Sequence, residues 1–401
     1  MLGVSTSVYA SNSPPIGPAG LFAMAEPGVW YDPSDLTTLY QDTAARVPVT
    51  AVGQTVALML DKSRGLMLGS ELAVNGDFSD GLTGWSPGVE SVLSVVGGQL
   101  VVTDEGTDST SARAYQIIPT VAGRTYTVSV DVLADVGRGQ VAVNGSNFNI
   151  GGSIVTVQPV GTGSMTNVTL SFLAVSTTSY LILDTRSPSL TASVVIFDNV
   201  SVRELPGAHA VQATTTARPI YQVDGEGRGY LSFDGVDDAM LSPVVTPGTD
   251  KTQVFAGVRK LSDAAVSVIL EHSAGSAFND GRFSLASTTN PAWQFLSEGT
   301  EPASAALVAT AAPYTAVLTG LGDISADSSI LRVNGSQSNQ SSVEQGSGNY
   351  LPYSLYIGRR GGASFPFSGN IYGVVVRFGA NLDAGVVAAT ESWMNQKTGA
   401  Y

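Results

Sequence analysis

Along most of this chain apolar and polar residues alternate one for one. In "RTYTVSVDVLAD", Tyr126, Val128, Val130 and Val132 fall on one side of an extended segment, and Thr125, Thr127, Ser129 and Asp131 on the other. A period of two predicts a half-buried antiparallel strand. "NVTLSFLAVS" repeats it, with Val168, Leu170, Phe172 and Ala174 expected inward. "YLILDT" and "ASVVIFDNVSV" add strands, while "VAGR", "NGSN" and "GTGS" read as the turns between them. The stretch from Leu72 to Glu204 therefore predicts two packed antiparallel sheets.

A second run of alternation begins at Gly207, through "RGYLSFDGVDDAML", "TQVFAGVRKL", "VSVILEHS", "YTAVLTG", "SILRVNGSQ" and "GNIYGVVVRFG". The period changes only at the end. After Asp383, read as an N-cap, Val386, Val387, Thr390, Trp393, Met394 and Lys397 recur at helical spacing until Gly399 stops them. Between Gly28 and Leu66 the signal is thinner. Ser34 ahead of "DLTTLYQD" is expected to cap a short helical turn, and "VPVTAV" looks strand-like. This piece is too short to bury a core by itself and must pack on something else. Residues 1–27, with Pro14, Pro15 and Pro18, predict an extended arm, either a loose tail or a segment ordered along a neighbouring subunit.

Composition narrows the classes. Only 13% of the 401 residues are charged, and 45 are glycine, which favours β-strands and tight turns over surface-charged helices. A net charge of -14 without any Lys/Arg cluster excludes nucleic acid as a partner. The absence of cysteine removes disulfides and thiolate metal sites. With no basic-then-apolar leader and no run of about 18 apolar residues, a soluble chain is expected, without signal peptide or membrane insertion.

"NGDFSDGLTGW", "IIPTVAGRTYTVSVDV" and "VVIFDNVSVRE", in that order, resemble the jelly-roll carbohydrate-binding modules of the family 4, 9 and 22 type. "YLSFDGVDDAML", "RVNGSQ", "LYIGRR" and the terminal helix resemble the concanavalin A-like, laminin-G-like sandwich. "WYDPSDL", "LDKS" and "ATTTARP" resemble segments of phage virion proteins, where they precede a laminin-G-like domain without interruption. These resemblances imply an all-β fold of two antiparallel sandwiches. Residues 28–66 and 207–401 would form a discontinuous concanavalin A-like domain, and residues 68–205 a jelly roll inserted in it. Three domains in series is the alternative.

The chemistry is sparse. Glycan binding needs flat aromatic faces with amide or carboxylate partners. Trp85, Tyr115, Phe148 and Tyr180 are available in the inserted domain, of which Tyr115 and Tyr180 are singled out, with Trp293 and Tyr350 in the outer one. No catalytic residue is expected. A glycosidase needs two carboxylates about 5–9.5 Å apart across the scissile bond. Glu298 and Glu301 in "LSEGTEP" read as solvated loop acids, with Gly299 and Pro302 breaking any strand. Asp234, Asp237 and Asp238 read as a turn rather than a calcium site. His209 and His272 have no triad or zinc-spaced partner. No cofactor is required. The carbohydrate-binding-module resemblance implies at most a structural calcium ion, with Asp77 and Asp198 as its carboxylates.

The function implied is a non-enzymatic phage virion protein, a tail fibre, spike or capsid decoration, displaying carbohydrate-binding sandwiches at the virion surface. Its partners would be a host cell-surface glycan, other virion proteins through the arm, and further copies of itself in a homo-oligomer. A decoration protein without glycan binding and a polysaccharide depolymerase are the alternatives.

Overall fold

Alternation in sequence becomes strands with one dry face. In Thr125–Leu133, Tyr126, Val128, Val130 and Val132 are each at most 2% exposed, while Thr127, Ser129 and Asp131 are half-buried. Val168, Leu170, Phe172 and Ala174 are inward as expected. The computed structural model describes residues 17–89, 91–106, 110–134, 139–158, 163–186, 192–275, 280–301 and 304–401. Of the described residues, 47% are in strands and 7% in helices.

Four antiparallel sheets, of eight, nine, five and five strands, form two β-sandwiches. One five-stranded sheet runs Thr166–Leu173, Thr125–Leu133, Ser193–Leu205, Gln99–Asp104, Ser91–Val96. The other runs Val155–Val157, Gln140–Asn144, Thr178–Asp184, Arg113–Pro119, Ser86–Pro87. Leu100, Val130 and Phe197 from the first and Ala114, Val141 and Leu183 from the second share one core. The larger sheets enclose another, around Val254, Leu318, Phe283, Trp293 and Ile371.

The larger sandwich draws strands from both ends of the chain. Gly28–Tyr31 pairs with Ser368–Phe378, and Leu58–Met59 with Ala210–Val211. Where the chain leaves this sandwich and returns, its two crossings are bonded to each other. The Gly69 N–H donates to Glu204 O at 2.8 Å, and the Leu72 N–H to Val202 O at 2.9 Å. Beside them the fully buried carboxylate of Asp61 accepts from the N–H groups of Trp30, Ser63 and Ala208 and from Ser63 Oγ, all at 2.8 Å. His209 Nδ1 accepts the N–H of Asp61 at 2.9 Å, and burial holds its pKa below the usual imidazole range.

The helix Ala384–Thr398 lies on the outer face of the eight-stranded sheet. A Cβ at Gly257 or at Gly373 would stand 2.9 Å from Met394 Sδ, so these strand glycines make room for the buried methionine. Glu391, 1% exposed, takes both branches of Arg332 at 2.7 and 2.9 Å. Gly399 ends the helix in the left-handed region with φ 58°.

Several local expectations need correction. The residue capping Leu36–Thr38 is Asp35, whose carboxylate accepts the Thr37 N–H; Ser34 instead donates to Asp32. "VPVTAV" forms no strand, only a single bridge between Pro48 and Tyr40, closed by the Gln41 N–H to Val47 O at 2.7 Å and the Val49 N–H to Leu39 O at 2.9 Å. Asp383 occupies the helix N-cap without a side-chain cap bond. Within the segment read as an extended arm, Pro18–Phe22 form a 3-10 turn that buries Leu21 and Phe22 against Phe255 and Val375. Residues 1–16, with Pro14 and Pro15, lie outside the described residues, as does Pro302. Glu298 is no loop acid: it is the last residue of the strand Ala292–Glu298, 8% exposed, with Arg282 Nε 2.6 Å away. Among the described residues no helix is long and apolar enough to cross a membrane.

Candidate functional site

The outward side chains of the second five-stranded sheet build the site. In Arg113–Pro119, Ala114 and Ile118 point to the core, so Arg113, Tyr115 and Ile117 point away. The same alternation turns Tyr180, Ile182 and Asp184 outward from Thr178–Asp184, and Gln140, Ala142 and Asn144 outward from Gln140–Asn144. Strand register sorts them into rows. Asp184 is opposite Arg113 and Gln140; Ile182 opposite Tyr115 and Ala142; Tyr180 opposite Ile117 and Asn144.

This outer face is not open sheet. The turn Gly145–Ser153, between neighbouring strands, folds over it and lays the ring of Phe148 on Tyr115, centroids 4.5 Å apart and planes 8° from parallel. Tyr180 lies 6.2 Å from Tyr115, tilted by 43°. The three rings are half-buried. Arg113 Nη1 donates to Phe148 O at 3.1 Å, and Asn144 Nδ2 to Asn149 O at 2.7 Å. Arg113 Nε also sits 3.3 Å from Asp184 Oδ2, a carboxylate only 1% exposed. Burial raises the Asp184 pKa despite the Arg186 amide bond and the Arg113 charge, with Asp104 adding a smaller push upward. Aromatic faces beside an amide, a guanidinium and a carboxylate can stack on an apolar ligand face and hydrogen-bond its edge.

The sequence pointed to part of this. Tyr115, Tyr180 and Phe148 come together, whereas Trp85 is 6% exposed and packs on Phe78. Trp293 and Tyr350, expected as binding rings, are corrected to core: they are 0% and 1% exposed and offer no face to a ligand. Lys260 Nζ stands 4.6 Å from the Trp293 ring, and the Tyr350 hydroxyl bonds Ser297 Oγ at 2.6 Å. Arg113, Asn144, Gln140 and Asp184 join the site without having been expected from their residue types. The alternation in "ARAYQIIP" does put Arg113 on the face of Tyr115, which was the available signal.

The calcium ligands fare differently. Asp77 is exposed and accepts from Ser79 N–H and Oγ, while Asp198 accepts from the Asn199 N–H and Gln99 Nε2. Neither joins a cluster of three acidic or histidine side chains among the described residues. Both carboxylates accept hydrogen bonds from their own surroundings. Asp234, Asp237 and Asp238 do cluster, as a turn: Asp234 Oδ1 faces the N–H groups of Val236, Asp237 and Asp238, and Asp238 Oδ2 accepts from the Asp234 N–H. Burial, with Asp234 and Asp237 adding like charge, pushes Asp238 up to about 7.

Among known proteins, no family model and no curated protein matches this chain. Similar solved structures exist. A CBM4 module matches over 32% of this chain and 99% of its own, at 20% identity and a TM-score of 0.28. The CBM40 of the Ruminococcus gnavus IT-sialidase bound to alpha2,3 sialyllactose matches over 36% of this chain and 84% of its own, at 16% identity and 0.30. The botulinum neurotoxin serotype D binding domain matches over 46% and 50%, at 8% identity and 0.35. Likenesses at these scores decide nothing about ligand.

Proposed function

We propose that this protein is a non-enzymatic glycan-binding component of a phage virion, used for attachment to a host cell surface. The observation that carries the glycan reading is the pair of rings Tyr115 and Tyr180 on one sheet face, edged by Arg113, Asn144 and Gln140, with Phe148 of the adjoining turn laid over Tyr115. The virion role rests on the resemblance of "WYDPSDL", "LDKS" and "ATTTARP". In this reading residues 68–205 are a domain inserted between residues 28–66 and 207–401, which the side-by-side crossings at Gly69 and Glu204 support. Copies assemble into a homo-oligomer, because weak single sites gain strength when several engage one surface.

The non-enzymatic reading has its own support. Glu298 is paired with Arg282 at 2.6 Å, and Glu271, fully buried, with Arg360 at 2.9 Å, which gives both carboxylates a structural role in the larger sandwich. The test is binding of the purified full chain to polysaccharide from candidate host cells, beside Tyr115→Ala. Retention of the wild type, weakened about tenfold or more in the variant, is the expected result. Equal retention of both, or of neither, sinks the reading, and release of reducing ends would sink its non-enzymatic half.

A further inference from the structure

The turn over the outer face supplies what a ligand would. It presents one flat apolar ring, Phe148, to Tyr115, and two consecutive carbonyl oxygens, of Phe148 and Asn149, to the donors of Arg113 and Asn144. A pyranose has the same chemistry: a C–H face that stacks on an aromatic ring, and vicinal hydroxyl oxygens along its edge that accept hydrogen bonds. Resting on the glycan reading above, we infer that residues 145–153 are a self-ligand that fills the binding subsite of the free protein. A pyranose with adjacent equatorial hydroxyls displaces Phe148, stacks on Tyr115 and takes over Arg113 Nη1 and Asn144 Nδ2.

The segment is built to leave without disturbing the sheet. Its ends are fixed: Ser176 Oγ donates to Gly145 O at 2.7 Å, and the Ile154 N–H to Val143 O at 2.8 Å. Asn144 Oδ1 holds the first turn through the Ser146 N–H at 2.9 Å, a bond that opening need not break. Gly151 and Gly152 have nothing within 4 Å of where a Cβ would stand, and Gly152 takes φ 83°, so the far end pivots in open space. Phe148 is no member of the sandwich core, and its removal leaves no core cavity.

A site filled by its own chain binds ligand with an apparent affinity reduced by the open fraction. Removing the ring should therefore tighten binding, by roughly three- to tenfold for the loss of one aromatic pair. The full-length wild type, Phe148→Ala and Phe148→Leu are compared by affinity electrophoresis in gels containing soluble mixed-linkage β-glucan, xylan or dextran. The leucine variant keeps an apolar side chain in case alanine perturbs the turn. Hydrogen exchange of the amides of residues 146–150 is followed with and without saturating polysaccharide. Expected are stronger retardation of both variants on any polysaccharide that is bound, and faster exchange in the wild-type turn when ligand is present. Wild-type binding with unchanged or weaker variants, and a turn protected by ligand, overturns the self-ligand while leaving the glycan reading intact. No retardation of any of the three proteins in any gel overturns both.

Discussion

The carboxylate of Asp61 accepts a hydrogen bond from the backbone N–H of Ala208, 2.8 Å away in space and 147 positions later in sequence. The same carboxylate holds Trp30 and Ser63, so one side chain ties together the two separated parts of the larger sandwich. Asp61→Ala leaves three backbone N–H groups without acceptors. The expected loss is about 3 kcal/mol or more, given ~1–3 kcal/mol for each buried donor left unsatisfied and incomplete additivity. Urea unfolding followed by the tryptophans of the larger sandwich should show a lower midpoint, with an unchanged transition for the smaller one.

Asp238 makes stability fall as the solution becomes more alkaline. Its folded pKa of about 7 lies above the ordinary 3.8, so between these values the native state holds a proton that the unfolded chain has released. The contribution is complete below about pH 4 and is lost as pH rises through 7. The slope cannot exceed about 1.4 kcal/mol per pH unit. Asp238→Asn keeps an oxygen for the Asp234 N–H and does not titrate. Its melting temperature, measured from pH 4 to 8, should climb steadily relative to that of the parent.

His272 works in the opposite sense. Burial lowers its pKa from 6.5 to about 4, so the folded state excludes a proton that the unfolded chain takes up; its contribution is complete above pH 6.5 and is lost as pH falls through 4. Between pH 4 and 6.5 it opposes the Asp238 slope. The ring stacks on Phe283 at 5.7 Å, and its Nδ1 is buried without a partner among the described residues. His272→Phe keeps the stack, loses the bond to Leu351 O and cannot be charged. Thermal melts should show the variant gaining on the wild type as pH drops from 7 to 4.

Glu298→Ala strands the buried Arg282 guanidinium with Glu271 Oε1, 3.5 Å from its Nη1, as its remaining ion-pair partner among the described residues. A loss of about 3 kcal/mol is expected for a buried pair broken on one side. Differential calorimetry reads that loss, and glycan retention at a temperature where the variant is folded should be unchanged.

Strands such as Thr125–Leu133 were legible because a half-buried strand writes its two faces into alternate positions, and the C-terminal helix because its period differs from everything before it. What failed was information that lives on another strand. Glu298 looked solvated beside Gly299 because the residue that pairs with it, Arg282, lies 16 positions earlier. Trp293 and Tyr350 looked like binding rings because an aromatic residue carries no mark of which side will be covered. Ser34 and Asp35 are equally good caps on paper, and backbone geometry chose the second. At the site, Tyr115 and Tyr180 were readable as aromatic, but Arg113 and Asn144 become meaningful only once Phe148 and Asn149 fold back over them.

The paired crossings at Gly69 and Glu204 also bear on mechanics. Tension on the smaller sandwich leaves it through two adjacent segments, besides the Ser171 N–H bond to Ala44 O, each carrying part of the load into the larger one. Pulled together, these segments load the Asp61 bonds in parallel instead of peeling them one after another.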